Sequence, residues 1–329
     1  MGIVKKLKCL LVEYLRLAKG IRYNKVKACI LFFHYVLCRR RYYCNAEEYL
    51  TYNFYKISHE KRKKYLLVYH QRNMYKFINR KGATHSKYAV SERFPVQFGR
   101  TILHFEKCQH NEFVEFFKKY KRIIVKPDDG SYGRNIQAFD YKDVTQAFSV
   151  FSQYKGKNYI CEEYIKQHPD MVALYPNSVN TIRVLALLKE GKVNIIAAAL
   201  RTGTGNEVVD NLKHGGIGAN VNIETGVVDT IGKDYRGNTY IVHPDTGHPF
   251  NGLQIPFWDE AISMIQEAHL QFSECSLLGW DIAITETKPI IIETNNGPGP
   301  MIHQFIDKVP RGEEILSLIE QRKASLQNV

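Results

Sequence analysis

The chain has 329 residues, of which 44% are hydrophobic and 24% charged, the composition of a globular protein that can hold two or three lobes and a sizeable core. The net charge of +13 is uneven, because residues 1–80 contain 19 Lys and Arg against 4 Asp and Glu, whereas the remaining residues contain 27 and 29. The seven cysteines form no Cys-x-x-Cys pair and no Cys/His metal spacing, which argues against a zinc site and favours free thiols in a reducing cytoplasm.

The N-terminal 80 residues are predicted to be basic and mainly helical. Apolar residues recur at helical spacing from Leu7 to Ala18, and a second helix is expected from Val26 to Arg39. The longest apolar run is about half as long as a bilayer-spanning helix, and no signal peptide is recognisable. Two interpretations stay open: basic amphipathic helices that lie on an anionic membrane surface, or a helical bundle with a solvated basic face.

A predicted strand, Arg122–Pro127, leads into a loop with two glycines and a return strand, Ile136–Phe139. Glycines let backbone N–H groups turn toward phosphate oxygens, and a nearby cation neutralises them. No Gly-Lys-Ser/Thr closes the loop, so it is not a Walker loop. An ordinary turn is the alternative. The candidate phosphate-binding residues are Lys126, Gly130, Ser131 and Gly133.

The segment from Tyr159 to Ile165 is predicted to be a strand that runs into polar chain. Extended backbone there could offer N–H and C=O groups to an adenine edge, although an ordinary strand end is the alternative. Helices are expected near 111–120 and over 144–154, and again from Ile255 to Cys275 with Leu270 on the buried side. Residues 236–251 are predicted to be a surface loop. The candidate adenine-contacting residues are Glu162, Glu163, Tyr164 and Ile165.

A predicted hairpin near the C-terminus joins Gly279–Ile284 to Pro289–Asn295. A three-residue loop at 286–288 would set Asp281 opposite Glu293, and strand alternation puts Asn295 on the same face as Glu293. Two carboxylates and an amide oxygen suit Mg²⁺ or Mn²⁺ held against nucleotide phosphates. The alternative is three polar residues on the wet face of a hairpin.

In this order, these segments resemble the ATP-grasp superfamily, in particular its glutamate-ligase-like branch and the sugar-transfer-associated ATP-grasp proteins. The resemblance covers roughly Lys87 to Gly299. It implies an α+β ATP-grasp fold, in which a small αβ lobe (81–165) and a larger antiparallel-sheet lobe (166–329) grip ATP. The basic region 1–80 departs from the family's common pattern, because it lacks the strand alternation of a Rossmann-like domain.

The resemblance also implies roles for single residues. Lys87, in the small lobe, and Lys126 would hold the α- and β-phosphates of ATP. Asp281, Glu293 and Asn295 would hold one or two Mg²⁺ (or Mn²⁺) ions. Three further residues would face the reacting groups: Arg201, with Asn211, would steady an acyl phosphate, and Arg183 would bind a substrate carboxylate.

Three functions are compatible with this reading. The first is an ATP-dependent ligase that joins a small-molecule carboxylate to an amine through an acyl phosphate; by resemblance, it would link an amino acid to a uronic-acid sugar of a surface polysaccharide. The second is a phosphotransferase on the same fold. The third is a basic module for nucleic acid or membrane with a degenerate nucleotide site, although the intact candidate site argues against degeneracy and little indicates nucleic acid. The expected location is the cytoplasm, with peripheral contact of 1–80 at the inner membrane face as an open possibility.

Overall fold

The computed structural model describes residues 3–18, 25–67, 101–128, 135–205, 210, 212, 215–299 and 301–327. The chain divides into two compact units. Unit 1 combines residues 1–81 with 297–329, and unit 2 consists of residues 82–296. The sequence-based division placed 297–329 in the large lobe, whereas in the structure this segment clusters with the N-terminal region.

Unit 1 is built on aromatic packing between helices. Tyr14 and Tyr35 stack with ring centroids 5.7 Å apart, and Tyr49 lies 5.4 Å from Tyr35. All three side chains are fully buried. The predicted helices after Leu7 and Val26 are confirmed, and both are longer than predicted. The N-terminal helices are α1 (Ile3–Ala18), α2 (Lys25–Tyr42), α3 (Ala46–Thr51) and α4 (His59–Lys63).

The first part of unit 2 is a four-stranded antiparallel sheet in the order β1-β4-β2-β3, with an aromatic core that includes Phe113, Phe117 and Phe151. The predicted hairpin and both predicted helices are confirmed. The elements are β1 (Ile102–His104), α5 (His110–Tyr120), β2 (Arg122–Pro127), β3 (Gln137–Asp140), α6 (Val144–Tyr154) and β4 (Tyr159–Glu163).

The second part of unit 2 is a seven-stranded antiparallel sheet in the order β11-β10-β5-β6-β7-β8-β9. Its core includes Ile182, Trp280 and Ile282, all fully buried. The elements are α7 (Pro169–Leu174), β5 (Thr181–Lys189), β6 (Lys192–Thr202), β7 (Ile217–Val221), β8 (Gly232–Asp234), β9 (Thr239–Tyr240), α8 (Trp258–Leu270), β10 (Leu277–Ile284) and β11 (Pro289–Asn295).

Helix α8 is shorter than the predicted Ile255–Cys275. Phe257 has a left-handed backbone with φ of 54°, which prevents the helix from starting earlier. Leu270, expected on the buried side, is half exposed. The turn beneath the helix start contains Gly226 with φ of +72°, where a Cβ would lie 2.4 Å from the Trp258 ring. Only glycine therefore fits this close approach.

The predicted surface loop at 236–251 is partly wrong. It contains β9, and His243 and Phe250 within it are fully buried. The His243 ring stacks on Tyr175 at 5.0 Å, and its Nε2 lies 2.9 Å from the Gly203 carbonyl oxygen. The Gly, Pro and Asp content predicted the turns, but it does not reveal that a histidine anchors the segment to the core.

The C-terminal helices α9 (Met301–Asp307) and α10 (Glu313–Gln327) belong to unit 1. The buried amide of Gln304 pairs with the backbone of Leu66: its oxygen accepts from the Leu66 N–H and its nitrogen donates to the Leu66 carbonyl, each at 3.0 Å. This pairing explains why the last segment clusters with the N-terminal region. Among the described helices, none is long and apolar enough to cross a membrane.

Candidate functional site

One face of the large sheet carries a row of charged side chains on adjacent strands. In the strand register, Asp281 on β10 lies opposite both Glu293 on β11 and Arg183 on β5, and Thr181 on β5 lies opposite Arg201 on β6. Since side chains alternate along a strand, these residues share one face. The residues between them, such as Ile182 and Ile282, point into the apolar core on the other face.

The predicted pairing of Asp281 with Glu293 is confirmed, but the loop length and the strand register that produce it differ from the prediction. Ile284 pairs with Pro289, so the loop has four residues, 285–288, rather than three. A β-bulge between Asp281 and Ile282 then shifts the register by one residue and restores the pairing. Bulges commonly re-aim side chains near functional sites.

Asp281 lies at the centre of an ion-pair network. The Arg183 guanidinium grips it from two nitrogens, Nε to Oδ1 and Nη2 to Oδ2 at 2.9 Å, and Arg201 Nη2 lies 3.2 Å from Oδ1. The residue is only 3% exposed. Burial raises the pKa of the Asp281 carboxyl, while the two guanidiniums counteract this by stabilising the carboxylate. Bidentate contact of this kind fixes guanidinium orientation as well as charge.

Arg201 is held from three sides. Its Nε and Nη2 donate to the Thr181 hydroxyl oxygen at 3.0 and 2.7 Å, and Nε lies 3.6 Å from an oxygen of Asp210. The Thr181 hydroxyl in turn donates to Asp210. Burial disfavours the charged guanidinium, but the Asp210 and Asp281 carboxylates outweigh it and raise the pKa of Arg201 above its usual value. The cation is therefore permanent and fixed in place.

Neither Thr181 nor Asp210 is among the predicted site residues, although Asp210 directly precedes the predicted Asn211. Strand alternation could have found Thr181, because it lies two residues before Arg183 and so shares its face. Asp210 follows β6 in a segment without regular pattern, and only the fold brings it to Arg201.

The predicted metal ligands have a suitable donor set. Glu293 and Asn295 share a face, with Asn295 Nδ2 3.5 Å from Glu293 Oε1, and Asp281 lies across from Glu293. The described residues contain no group of three His, Cys, Asp or Glu side chains arranged for a metal ion. Two carboxylates and an amide nevertheless fit Mg²⁺, which is usually bound by one or two carboxylates together with substrate phosphates. Both carboxylate oxygens of Asp281 already accept hydrogen bonds from arginine side chains, so Asp281 would have to bind the metal ion and the arginines at the same time.

The predicted phosphate-binding lysine is also paired. Lys126 Nζ on β2 lies 2.8 Å from an oxygen of Glu162 on the neighbouring strand β4, and Glu162 is almost fully buried. The carboxylate thus fixes the ammonium group at the strand end, just before the glycine loop. A phosphate bound there would share this cation with Glu162.

The remaining residues of the predicted adenine segment have mainly packing and backbone contacts. Glu163 accepts from the Thr101 N–H at 3.3 Å. The Tyr164 N–H donates to the Arg122 carbonyl at 3.1 Å, and the Arg122 guanidinium lies 4.4 Å from the Tyr164 ring. Ile165 packs in an apolar cluster with residues of the C-terminal hairpin. The Tyr164 N–H is therefore already engaged by the protein.

Five predicted site residues lie outside the described residues. They are Lys87, Gly130, Ser131, Gly133 and Asn211.

A sequence profile of the sugar-transfer-associated ATP-grasp family matches residues 60–313, about three-quarters of the chain. The chain belongs to this family. Its fold is the ATP-grasp fold, which confirms the expectation from the sequence motifs. No curated protein sequence gives a significant match.

Several solved structures resemble the chain at low identity. The ATP-grasp ligase PsnB in complex with a minimal precursor is 10% identical, with a TM-score of 0.43, over 72% of this chain and 58% of that one. A D-alanine–D-alanine ligase from Bacillus anthracis is 14% identical (TM-score 0.39, 75% and 69%). An L-amino acid ligase from Bacillus licheniformis is 9% identical (TM-score 0.43, 72% and 48%). The chain thus spans between about half and two-thirds of these proteins.

Proposed function

We propose that the protein is an ATP-dependent carboxylate–amine ligase that forms an amide through an acyl phosphate. The observation that carries this proposal is the row of the buried Asp281 and the mostly buried Arg183 and Arg201, which lies on the same sheet face as Glu293. The two arginines are fixed cations that can bind oxyanions, and the carboxylates can bind a divalent metal ion. No described residue needs to act as a nucleophile.

The reaction moves negative charge between clustered oxygens. A substrate carboxylate oxygen attacks the γ-phosphorus of ATP, the bond to the β-phosphate oxygen breaks, and ADP leaves. The amine nitrogen then attacks the acyl carbon, the bond to the phosphate oxygen breaks, and phosphate and a proton are released. Catalysis therefore depends on cations held in position before charge develops.

The predicted site residues would divide this work. Lys126, anchored by Glu162, would neutralise the nucleotide phosphates, with Lys87 and the loop of Gly130, Ser131 and Gly133 expected beside it. Arg183 and Arg201 would bind the substrate carboxylate and the acyl phosphate, with Asn211 assisting. Because Asp281, Thr181 and Asp210 already orient both guanidiniums, little reorganisation is required when the anion arrives.

A divalent ion would complete the charge balance. Mg²⁺ or Mn²⁺ held by Asp281, Glu293 and Asn295 would neutralise the β- and γ-phosphates. The two arginines and the three carboxylates (Asp210, Asp281 and Glu293) leave this side of the site with a net negative charge that a divalent cation would offset.

The sugar-transfer association of the family supports a more specific setting. We infer that the ligase attaches an amino acid to a uronic-acid sugar during synthesis of a surface polysaccharide, in the cytoplasm. A uronic acid supplies a carboxylate, which is the group that a guanidinium pair grips, and an amino acid supplies the amine.

Mass spectrometry of ATP incubated with Mg²⁺, uronic acids and a set of amino acids tests the proposal. We expect ADP, phosphate and a new amide. ADP with a phosphate ester instead would show a phosphotransferase, and ADP formation that ignores all acids and amines would contradict both activities. Glu293→Gln should abolish product formation, whereas Glu286→Gln, an exposed glutamate in the loop of the same hairpin, should not.

A further inference from the structure

Helix α2 has two apolar faces, of which only one is buried among the residues that the structure describes. Its inner face is buried and consists of Leu31, Tyr35, Cys38 and Tyr42. Its opposite face, the outer stripe, consists of Val26 (70% exposed), Ile30 (62%), Phe33 (68%) and Leu37 (67%). The spacing of three and four residues places these four side chains on one side of the helix.

An ordinary surface helix carries polar residues on its outer face. Single exposed apolar residues are common, but a contiguous row of four large ones marks an interaction surface. Helix α1 adds further exposed apolar residues, including Val4 and Val12. Both helices precede residue 60, where the match to the ATP-grasp family begins. The inference drawn from them therefore does not rest on the proposed activity.

The charges around the stripe indicate what covers it. Lys27 at its start and Arg40 and Arg41 at its end are exposed, and residues 1–80 contain 19 basic against 4 acidic residues. A second copy of the chain would bring two such basic faces together, which like-charge repulsion disfavours. An anionic bilayer offers both a negative surface and an apolar interior, so it matches the charge and the apolar row together.

We propose that the outer stripe of α2 docks on the anionic surface of a membrane, with Val26, Ile30, Phe33 and Leu37 inserted at the headgroup level and the flanking basic residues against lipid phosphates. The helix then lies in the plane of the interface rather than across the bilayer. Docking would hold the enzyme at the membrane surface without a membrane-spanning segment in the described helices.

Cosedimentation of the full chain with vesicles tests the apolar part. The chain should bind phosphatidylcholine vesicles that contain phosphatidylglycerol at low salt, and Phe33→Gln/Leu37→Gln should bind them at least about tenfold more weakly. The matched control is Val144→Gln/Phe148→Gln, since both residues are half exposed and lie four apart on α6. It should bind like the unmodified chain. Equal binding by the stripe variant would overturn the proposal.

The charge part has its own readout. Lys27→Gln/Arg40→Gln should weaken binding roughly fivefold for each charge removed, and rising salt should release the unmodified chain. Equal binding to pure phosphatidylcholine would overturn the anionic assignment. A full chain that binds neither vesicle type would overturn the proposal, as would a dimer that dissociates only in the stripe variant, which would assign the stripe to a second copy. ADP formation by the stripe variant, measured without vesicles, should be unchanged, so failure here is distinguishable from failure of the ligase proposal.

Discussion

Two regions depart from the usual pattern of burial. One is the charged face, which is the row of Arg183, Arg201, Asp281 and Glu293 on the seven-stranded sheet of unit 2. The other is the outer stripe of α2 in unit 1. In the first, Asp281 is 3% exposed although it is charged; in the second, Phe33 is 68% exposed although it is apolar. Folding stability alone favours neither arrangement. Burying a charge costs free energy, and leaving an apolar row exposed loses the favourable free energy of burying it. Each is therefore better explained by a binding partner than by the fold.

The two regions differ in what they would bind. The charged face is a set of ion pairs already formed between side chains on four adjacent strands. It suits a small anionic ligand, because the ligand's negative charge can pair with an arginine in place of a carboxylate of the protein. The outer stripe consists of four exposed apolar side chains along one helix, so it suits an extended apolar surface. Four experiments test whether the two regions differ in this way.

The largest effect is expected from Asp281→Asn. The substitution leaves the mostly buried Arg183 and Arg201 guanidiniums without their shared carboxylate, so it should lower the free energy of unfolding by about 3 kcal/mol. It should also reduce ATP turnover by on the order of 100-fold or more, because both the arginine alignment and a metal ligand are lost. Urea unfolding and ADP release measure the two effects.

A double variant separates these two losses. Arg183→Met/Asp281→Leu removes the closest ion pair as a unit and should recover much of the stability, because replacing a buried pair by apolar side chains is often neutral. Activity should not recover. Near-normal turnover in either variant would show that the charged face serves stability only.

The second prediction concerns His269, a buried polar residue outside the charged face. His269 in α8 is fully buried, and its Nε2 lies 2.9 Å from the Cys275 carbonyl oxygen. Burial lowers its pKa from 6.5 to about 4, so the unfolded chain binds the proton more tightly. Stability contributed by the neutral ring is present above pH 6.5 and is lost as pH falls toward 4, by about 3 kcal/mol in total.

Urea unfolding across this pH range measures the loss, and His269→Gln provides the comparison. The variant should be less stable near neutral pH but should lose less stability between pH 6.5 and 4. A variant with the unmodified pH dependence would assign the acid sensitivity to other groups, including the carboxylates of the charged face.

The third effect concerns Lys126. Lys126→Ala should weaken ATP binding by more than about tenfold, since losing a cation from a phosphate site costs about 1.5–3 kcal/mol. It also leaves the buried Glu162 without this partner, so stability should fall as well. Adding Glu162→Gln should restore stability but not affinity. Calorimetry with ATP decides between the roles, because unchanged affinity in Lys126→Ala would make the ion pair purely structural.

Much of this architecture could be predicted from local sequence. Glycines and apolar runs located the β2–β3 hairpin and helix α6, and the alternation of Asp281, Glu293 and Asn295 located one side of the charged face. The bulge beside Asp281 could not be predicted, because a loop of three residues and a loop of four with a bulge give the same pairing. The predicted pairing of Asp281 with Glu293 is therefore correct, but between the bulge and the loop the strand register differs by one residue from the predicted one.

Long-range pairing limited the rest. That Arg183 grips Asp281 depends on β5 pairing with β10 across 98 residues, and that Gln304 pairs with Leu66 depends on contacts across 238 residues. No local pattern encodes either. Helix α2 posed a different problem, since its residues are apolar on both sides and hydrophobic periodicity cannot then tell which face packs inward.

The smallest effect is expected on the stability of unit 1 and compares the two faces of α2 directly. Phe33→Gln should change the free energy of unfolding by no more than about 0.5 kcal/mol, because the side chain is mostly exposed in the folded chain and loses little packing. Leu31→Ala, two residues earlier on the buried face, should cost about 2–5 kcal/mol. Thermal and urea unfolding of the two variants without lipid measure the contrast. If Phe33→Gln destabilised the chain as much as Leu31→Ala, the outer stripe would be part of the packed core in solution and could not be available to a membrane. A near-zero effect, combined with weaker vesicle binding, would instead show that the exposed apolar row is maintained for binding and not for folding.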